Sequence, residues 1–187
     1  MMALLSYSAI FVTVLVGLSL VIFTALTGVP TLSSGRSEAH DVIILLRRAN
    51  LSRHAVIIDL GSGWGTLVVA LARAFPDASV EGVEVSPFPY FISRLRAHGL
   101  SNVSLRWGNF FHGDLRGADA IVCYLMPHVM PKVCELLDSE LKEGTYVVSN
   151  TFLFRGRTSS MIHRGGLRGT VALYVWPARH WVADDRE

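Results

Sequence analysis

Two acids and three alternating glycines carry the chemistry that can be read in this chain. Residues 55–65 read AVIIDLGSGWG: an apolar run ends in Asp59, and Gly61, Gly63 and Gly65 follow at alternate positions. That is the pattern of a buried strand turning into a helix, and glycine lets a ligand approach the turn because no Cβ stands in the way. The helix that follows, Thr66 to about Phe75, aims its unpaired N–H groups at such a ligand. The next apolar segment, ASVEGVE, ends in Glu84, where an acid can accept both hydroxyls of a ribose. The pattern predicts a nucleoside-bearing ligand.

Spacing narrows the choice. A dinucleotide turn reads G-x-G-x-x-G, whereas here the third glycine comes one residue early and Thr66 stands where the last is expected. Asp59 with Gly61, Ser62, Gly63 and Gly65 instead resembles motif I, D-x-G-x-G-x-G, of the class I S-adenosylmethionine (SAM) methyltransferases. The resemblance implies SAM as cofactor, with Asp59 near its methionine part and the glycine backbone packed against it. It also implies adenine contact from Gly108-Asn109-Phe110-Phe111, where the family commonly reads G-D-x-F. An amide at Asn109 both donates and accepts, and Phe110 can pack on the adenine face. In the same enzymes the methyl acceptor is held after the fourth strand, here Tyr124-Leu125-Met126-Pro127-His128. Tyr124 and Pro127 are the candidates: an aromatic wall can hold a cationic group, and proline fixes the backbone beside it. His128 reads as a helix-capping surface residue.

These residues need a frame that brings strand ends together. Strands are expected at Ala55–Leu60, Ser79–Glu84, Val103–Trp107, Ala118–Leu125, Thr145–Phe152 and Thr170–Trp176, with a short one near Met161. Helices are expected between them to Phe75, to about His98 and from about His128 to Leu141, after a lead-in helix Glu38–Ala49 capped by Ser37. Strands alternating with helices of this length predict an α/β, doubly wound, mostly parallel sheet, Rossmann-like, over residues 55–187. Ligands of such sheets bind outside the carboxyl ends of the strands, where every candidate above falls.

Residues 1–29 stand apart. No charged residue occurs from Ala3 to Val29, and about 20 apolar residues suffice to cross a bilayer as a helix. With no basic residue before it and an apolar run longer than a cleaved signal needs, the segment reads as a retained transmembrane anchor, a hydrophobic helix docked on the domain itself being the alternative, followed by a linker and lead-in helix over 30–54. Arg36, Arg47, Arg48 and Arg53 follow it, so the positive-inside rule places the C-terminal domain in the cytoplasm, or on the matrix side of a mitochondrial membrane.

Bulk composition excludes more than it identifies. The 187 residues are 51% hydrophobic and 17% charged, with a net charge of +2, so composition gives no case for nucleic-acid binding. Cys123 and Cys134 form no C-x-x-C pair and read as buried free thiols, and the histidines show no metal-site spacing, so no metal is expected.

The whole layout resembles a narrower family, the membrane-anchored seven-strand protein-lysine methyltransferases related to the mitochondrial enzyme that modifies the ATP-synthase c-subunit. The match rests on PTLSS (Pro30–Ser34), DLGSGWG (Asp59–Gly65), GVE (Gly82–Glu84), YLMP (Tyr124–Pro127) and ELKEGTYVVSNTF (Glu140–Phe152). It implies methyl transfer to a lysine of a membrane-associated protein. A lipid, quinone or other small-molecule acceptor is the alternative, and a catalytically silent membrane-anchored assembly module a third. Trp64, Asn109 and the Tyr-Leu-Met-Pro segment depart from the common family pattern.

Overall fold

The computed structural model describes residues 2–27, 36–164 and 169–178. A helix α1 (Met2–Thr27) precedes α2 (Arg36–Arg48), and then strands and helices alternate. They are β1 (Val56–Leu60), α3 (Thr66–Ala74), β2 (Ser79–Glu84), α4 (Pro87–Arg96), β3 (Val103–Trp107), a 3-10 turn (Phe110–His112), β4 (Ala120–Cys123), α5 (Met130–Glu140) and β5 (Tyr146–Asn150). The chain closes with β6 (Met161–Arg164) and β7 (Thr170–Val175).

Seven strands form one sheet in the order β3-β2-β1-β4-β5-β7-β6. The pairs among β1 to β5 are parallel, and β7 joins β5 and β6 antiparallel. This is the mostly parallel, doubly wound sheet that the alternation predicts. The central strands β1, β4 and β5 are buried along almost their whole length because both their faces are covered. On one face α2 and α3 pack Val42, Leu45, Leu46, Val68 and Leu71 against Ile57, Val80, Val122 and Val148. On the other, α5 packs Met130, Val133 and Leu137 against Ile58, Ile121 and Val147. Reversal of strand order between β1 and β4 leaves a crevice at their carboxyl ends, the natural ligand position of such sheets.

Several boundaries differ from expectation. β4 ends at Cys123, so Tyr124 and Leu125 lie outside the strand, and α5 starts at Met130, two residues after His128. Pro127 and Pro131 account for both shifts, since neither can donate to a ladder or a helix interior. α2 starts at Arg36, which places Ser37 inside the first turn rather than at the cap. Cys123 is buried as expected, but Cys134 is only half-buried. The Pro30–Ser34 segment lies outside the described residues.

α1 runs 26 residues with no acidic residue in its first turn and no basic one in its last. Over the described residues, no helix is long and apolar enough to cross a membrane, and the side chains of α1 are described only in part. Of those described, Tyr7, Ile10, Phe11, Val14, Leu18 and Val21 are exposed.

Candidate active site

The glycine loop is held from below by the neighbouring strand. Gly61 and Ser62 both donate their N–H to Val83 O at 3.0 Å. Gly63 N–H donates to Glu84 Oε2 at 2.8 Å, and Gly65 N–H to Ser62 O at 2.9 Å. Gly61, Gly63 and Gly65 have φ of 75°, 52° and 76°, the left-handed region where an L side chain is strained. Packing adds a second demand. A Cβ on Gly65 would lie 2.6 Å from Ser93 Cβ, so the missing atom is what lets α3 begin against α4. On β2, a Cβ at Gly82 would meet Val68 Cγ2 at 2.8 Å and Ser62 Cβ at 3.0 Å, so this glycine seats the loop and α3 on the sheet.

Glu84 is 5% exposed and fixes the loop as well as facing the crevice. Its Oε2 accepts from Gly63 and its Oε1 from the Ser86 N–H at 2.7 Å. Each carboxylate oxygen keeps a further lone pair, which is what a ribose diol requires. Ser86 was not evident in the sequence, although an acid two residues before a helix-initiating Ser-Pro is a readable signal. Asp59 is 3% exposed, between Gly82 and Val122 in register. Burial first, and then the charge of Glu84, push its carboxyl up to about 7. Beside it, the Ser62 hydroxyl is buried with no protein hydrogen-bond partner. An orphaned buried hydroxyl within the glycine turn, whose neighbour Gly63 is held by Glu84, fits a cofactor that brings polar groups to the loop.

Asn109 caps the 3-10 turn: its Oδ1 accepts from Phe111 N–H at 3.0 Å, which commits the carbonyl oxygen but not the amide nitrogen. The Phe110 and Phe111 rings lie 4.5 Å apart, and both pack partly against the core on the α5 side. Trp64 packs edge-on against Phe88 at 5.7 Å, while its carbonyl accepts from Arg96 Nη1 at 3.0 Å. The tryptophan therefore braces the loop against α4.

After β4, Leu125 reaches over the glycine turn, its Cδ2 3.0 Å from where a Gly61 Cβ would stand. Tyr124 lies near-parallel to Phe152, with centroids 6.4 Å apart and 13° between planes. Phe152 is a candidate site residue that the sequence did not reveal. It is brought back toward Tyr124 by Thr151, whose φ of 68° is exceptional for a β-branched residue. Ser149 Oγ donating to Phe152 O and Phe152 N–H donating to Asn150 O at 2.8 Å close that turn. Asn150 is 1% exposed and its Nδ2 has no partner. Nothing in a single sequence marks Thr151 as left-handed. Next to this pair opens a cavity of about 890 Å³, lined by Pro127, His128, Met130, Glu135, Phe152 and Arg155 among others. The structure thus brings Asp59, the glycine turn and Glu84 together at the ends of β1 and β2, while Tyr124 stacks on Phe152 after β4 and Pro127 lines the separate cavity that Phe152 also borders.

Comparison with known proteins agrees with this geometry. Residues 59–161 match the family described as the ANTKMT methyltransferase domain. A protein-lysine N-methyltransferase of Saccharolobus islandicus is 30% identical over 137 residues, covering 70% of this chain and 85% of that protein. The mouse lysine N-methyltransferase of the ATP-synthase c-subunit is 28% identical over 131 residues, and there the match spans 67% of this chain but only 49% of the relative. Among solved structures, an RNA methyltransferase from Salinibacter ruber, in complex with S-adenosyl-L-homocysteine, superposes with a TM-score of 0.69 at 27% identity, covering 83% of this chain and 99% of that one. With its motif I, its seven-strand sheet and these matches, the chain belongs to the ANTKMT methyltransferase-domain family and is a SAM-dependent methyltransferase of class I.

Proposed function

We propose that the chain methylates a lysine side chain of a membrane-associated protein and is held at the bilayer by α1. The observation that carries the acceptor half is the Tyr124–Phe152 stack after β4, whose Phe152 lines a cavity of about 890 Å³. The named lysine methyltransferases among its relatives support the same reading.

SAM supplies a methyl group on a sulfonium, an electrophile that needs only an in-line, unprotonated nucleophile. The protein's part is placement. Asp59, once ionised, pairs with the ammonium of the methionine part, and the Ser62 hydroxyl completes its hydrogen bonding on the same end. Glu84 takes the ribose hydroxyls with the lone pairs that the backbone leaves. Asn109 offers its amide N–H to an adenine nitrogen, and Phe110 one ring face. Tyr124 and Phe152 hold the lysine amine by its cationic character on approach, and Pro127 keeps the wall from yielding. The proton leaves the amine to water before attack, since a protonated lysine has no lone pair.

The anchor rests on the uncharged span Ala3–Val29 and the arginines that follow it. Methyl-labelled SAM incubated with the purified protein and a membrane fraction, then separated into protein, lipid and RNA, tests the proposal. Label in protein is expected; label confined to lipid or to RNA would replace it with the corresponding acceptor.

A further inference from the structure

The outer face of α4 carries an apolar and cationic stripe that the methyl-transfer site does not use. Phe91 and Leu95 are 58% and 60% exposed, and Trp107 at the end of the neighbouring edge strand is 59% exposed. Tyr90, Phe91, Arg94 and Leu95 stand at i, i+1, i+4 and i+5, so they share one side of the helix. The stripe is continuous with Trp107: Arg94 lies 6.0 Å over the Tyr90 ring, and the Tyr90 and Trp107 rings stack at 6.4 Å. Trp107 is pinned by its Nε1–H donating to Val85 O at 2.9 Å, so its orientation is fixed before any partner arrives. Outside α1, the exposed large hydrophobics of the described residues are Phe91, Leu95, Trp107, Leu153, Ile162 and Val175, and the first three gather here.

Two observations bear on what could cover this face. First, residues 85–107 contain Arg94, Arg96 and Arg106 and no acid, so the stripe favours a negatively charged partner. Arg96 is engaged with the glycine loop and Arg106 with Glu81, leaving Arg94 as the outward charge of the stripe. Second, α1 packs on α4 and still leaves Phe91 and Leu95 exposed. With α1 inserted in a bilayer, as proposed above, its contact with α4 would bring this stripe to the headgroup layer. Tryptophan and arginine among bulky apolar side chains are the composition of an interfacial surface.

We propose that the face formed by Tyr90, Phe91, Arg94, Leu95 and Trp107 docks on the anionic surface of the membrane that α1 enters, setting the catalytic domain in a fixed orientation on the bilayer. The inference rests on α1 being membrane-inserted. Docking takes Phe91 and Leu95 into the headgroup–acyl boundary and places the Arg94 guanidinium among phosphates.

The test uses the full chain in lipid nanodiscs, with an environment-sensitive nitrobenzoxadiazole label at Leu95→Cys in a Cys134→Ser background; the remaining Cys123 is buried. A second label at Ser139→Cys, on the exposed side of α5, is the control. Emission at position 95 should shift blue and strengthen in phosphatidylcholine discs containing phosphatidylserine, and less so without it, while position 139 stays unchanged. Arg94→Glu should weaken docking on the anionic discs about fivefold or more. Co-flotation of the protein with vesicles but no change at position 95 would overturn the docking and leave the anchor standing. Absence of flotation would overturn both. A concentration-dependent change at position 95 in detergent alone would assign the face to a second copy of the chain and overturn the membrane reading.

Discussion

Replacing Asp59 by Asn should make the cofactor-free protein more stable and the cofactor-bound one less so. Asp59 sits in the sheet at 3% exposure, and burial, reinforced by the charge of Glu84, raises its carboxyl from 3.8 to about 7. Each unit is about 1.4 kcal/mol, so ionising this group in the fold costs on the order of 4 kcal/mol relative to the unfolded chain. The sign follows from proton counts. Between pH 4 and 7 the native state holds a proton that the unfolded state has released, so this group's contribution falls as pH rises through that window and stays low above 7. Asparagine cannot ionise. The stability difference between Asp59→Asn and the unaltered protein should therefore be near zero below about pH 3.5, grow by about 1.4 kcal/mol per pH unit between pH 4 and 7, and level off toward about 4 kcal/mol by pH 8, as an upper figure. Urea unfolding at a series of pH values, with m held common, reads it directly. SAM should reverse the order, because its ammonium gains the ionised carboxylate as a partner, and the Asp59→Asn variant should bind it about ten- to a hundredfold more weakly. A pH-independent difference, or a variant that binds SAM as the native protein does, would refute the reasoning.

Other expectations follow from single residues. Glu84→Ala removes the acceptor of Gly63 N–H and Ser86 N–H as well as the ribose partner, so thermal stability should fall by about 2–4 kcal/mol and SAM titration should show weaker binding. Gly65→Ala combines a φ of 76° with a 2.6 Å approach to Ser93 Cβ and should cost about 2–4 kcal/mol in denaturant unfolding, with loss of SAM binding. Thr151→Gly relieves a φ of 68° and should raise stability in a thermal melt by up to about 1 kcal/mol, while the freed Phe152 raises the half-saturating acceptor concentration and leaves SAM affinity unchanged. Burial pushes the Cys123 thiol up to about 12, so iodoacetamide should modify Cys134 in the native protein and Cys123 only after unfolding, by mass spectrometry.

The cofactor half of the candidate site is legible because its pattern is local in sequence. Asp59, the three glycines and Glu84 lie within 26 residues, and each is chosen for a backbone or charge requirement that residue type alone expresses. The alternation of apolar runs and helices was equally plain, because strands buried on both faces admit little else. The acceptor half was read less well. Tyr124 could be named from its place after β4, but its partner Phe152 depends on a left-handed Thr151, a conformation that threonine does not advertise. Trp64 stood out in the sequence as an intrusion into the glycine turn, and the fold gives it a bracing contact with Phe88 instead. The end of β4 was misplaced by two residues, since Tyr124 and Leu125 are apolar enough to continue a strand and only Pro127 opposes it.

Lysine methylation at this site is tested most directly by the chemical identity of the methylated product. The protein is incubated with methyl-labelled SAM and a membrane fraction, the protein portion is hydrolysed to amino acids, and the label is resolved by chromatography beside a Glu84→Ala control. Label should elute with Nε-methylated lysine and be lost in the Glu84→Ala sample. Tight SAM binding with no label in lysine, or equal label in both samples, would contradict lysine methylation by this crevice.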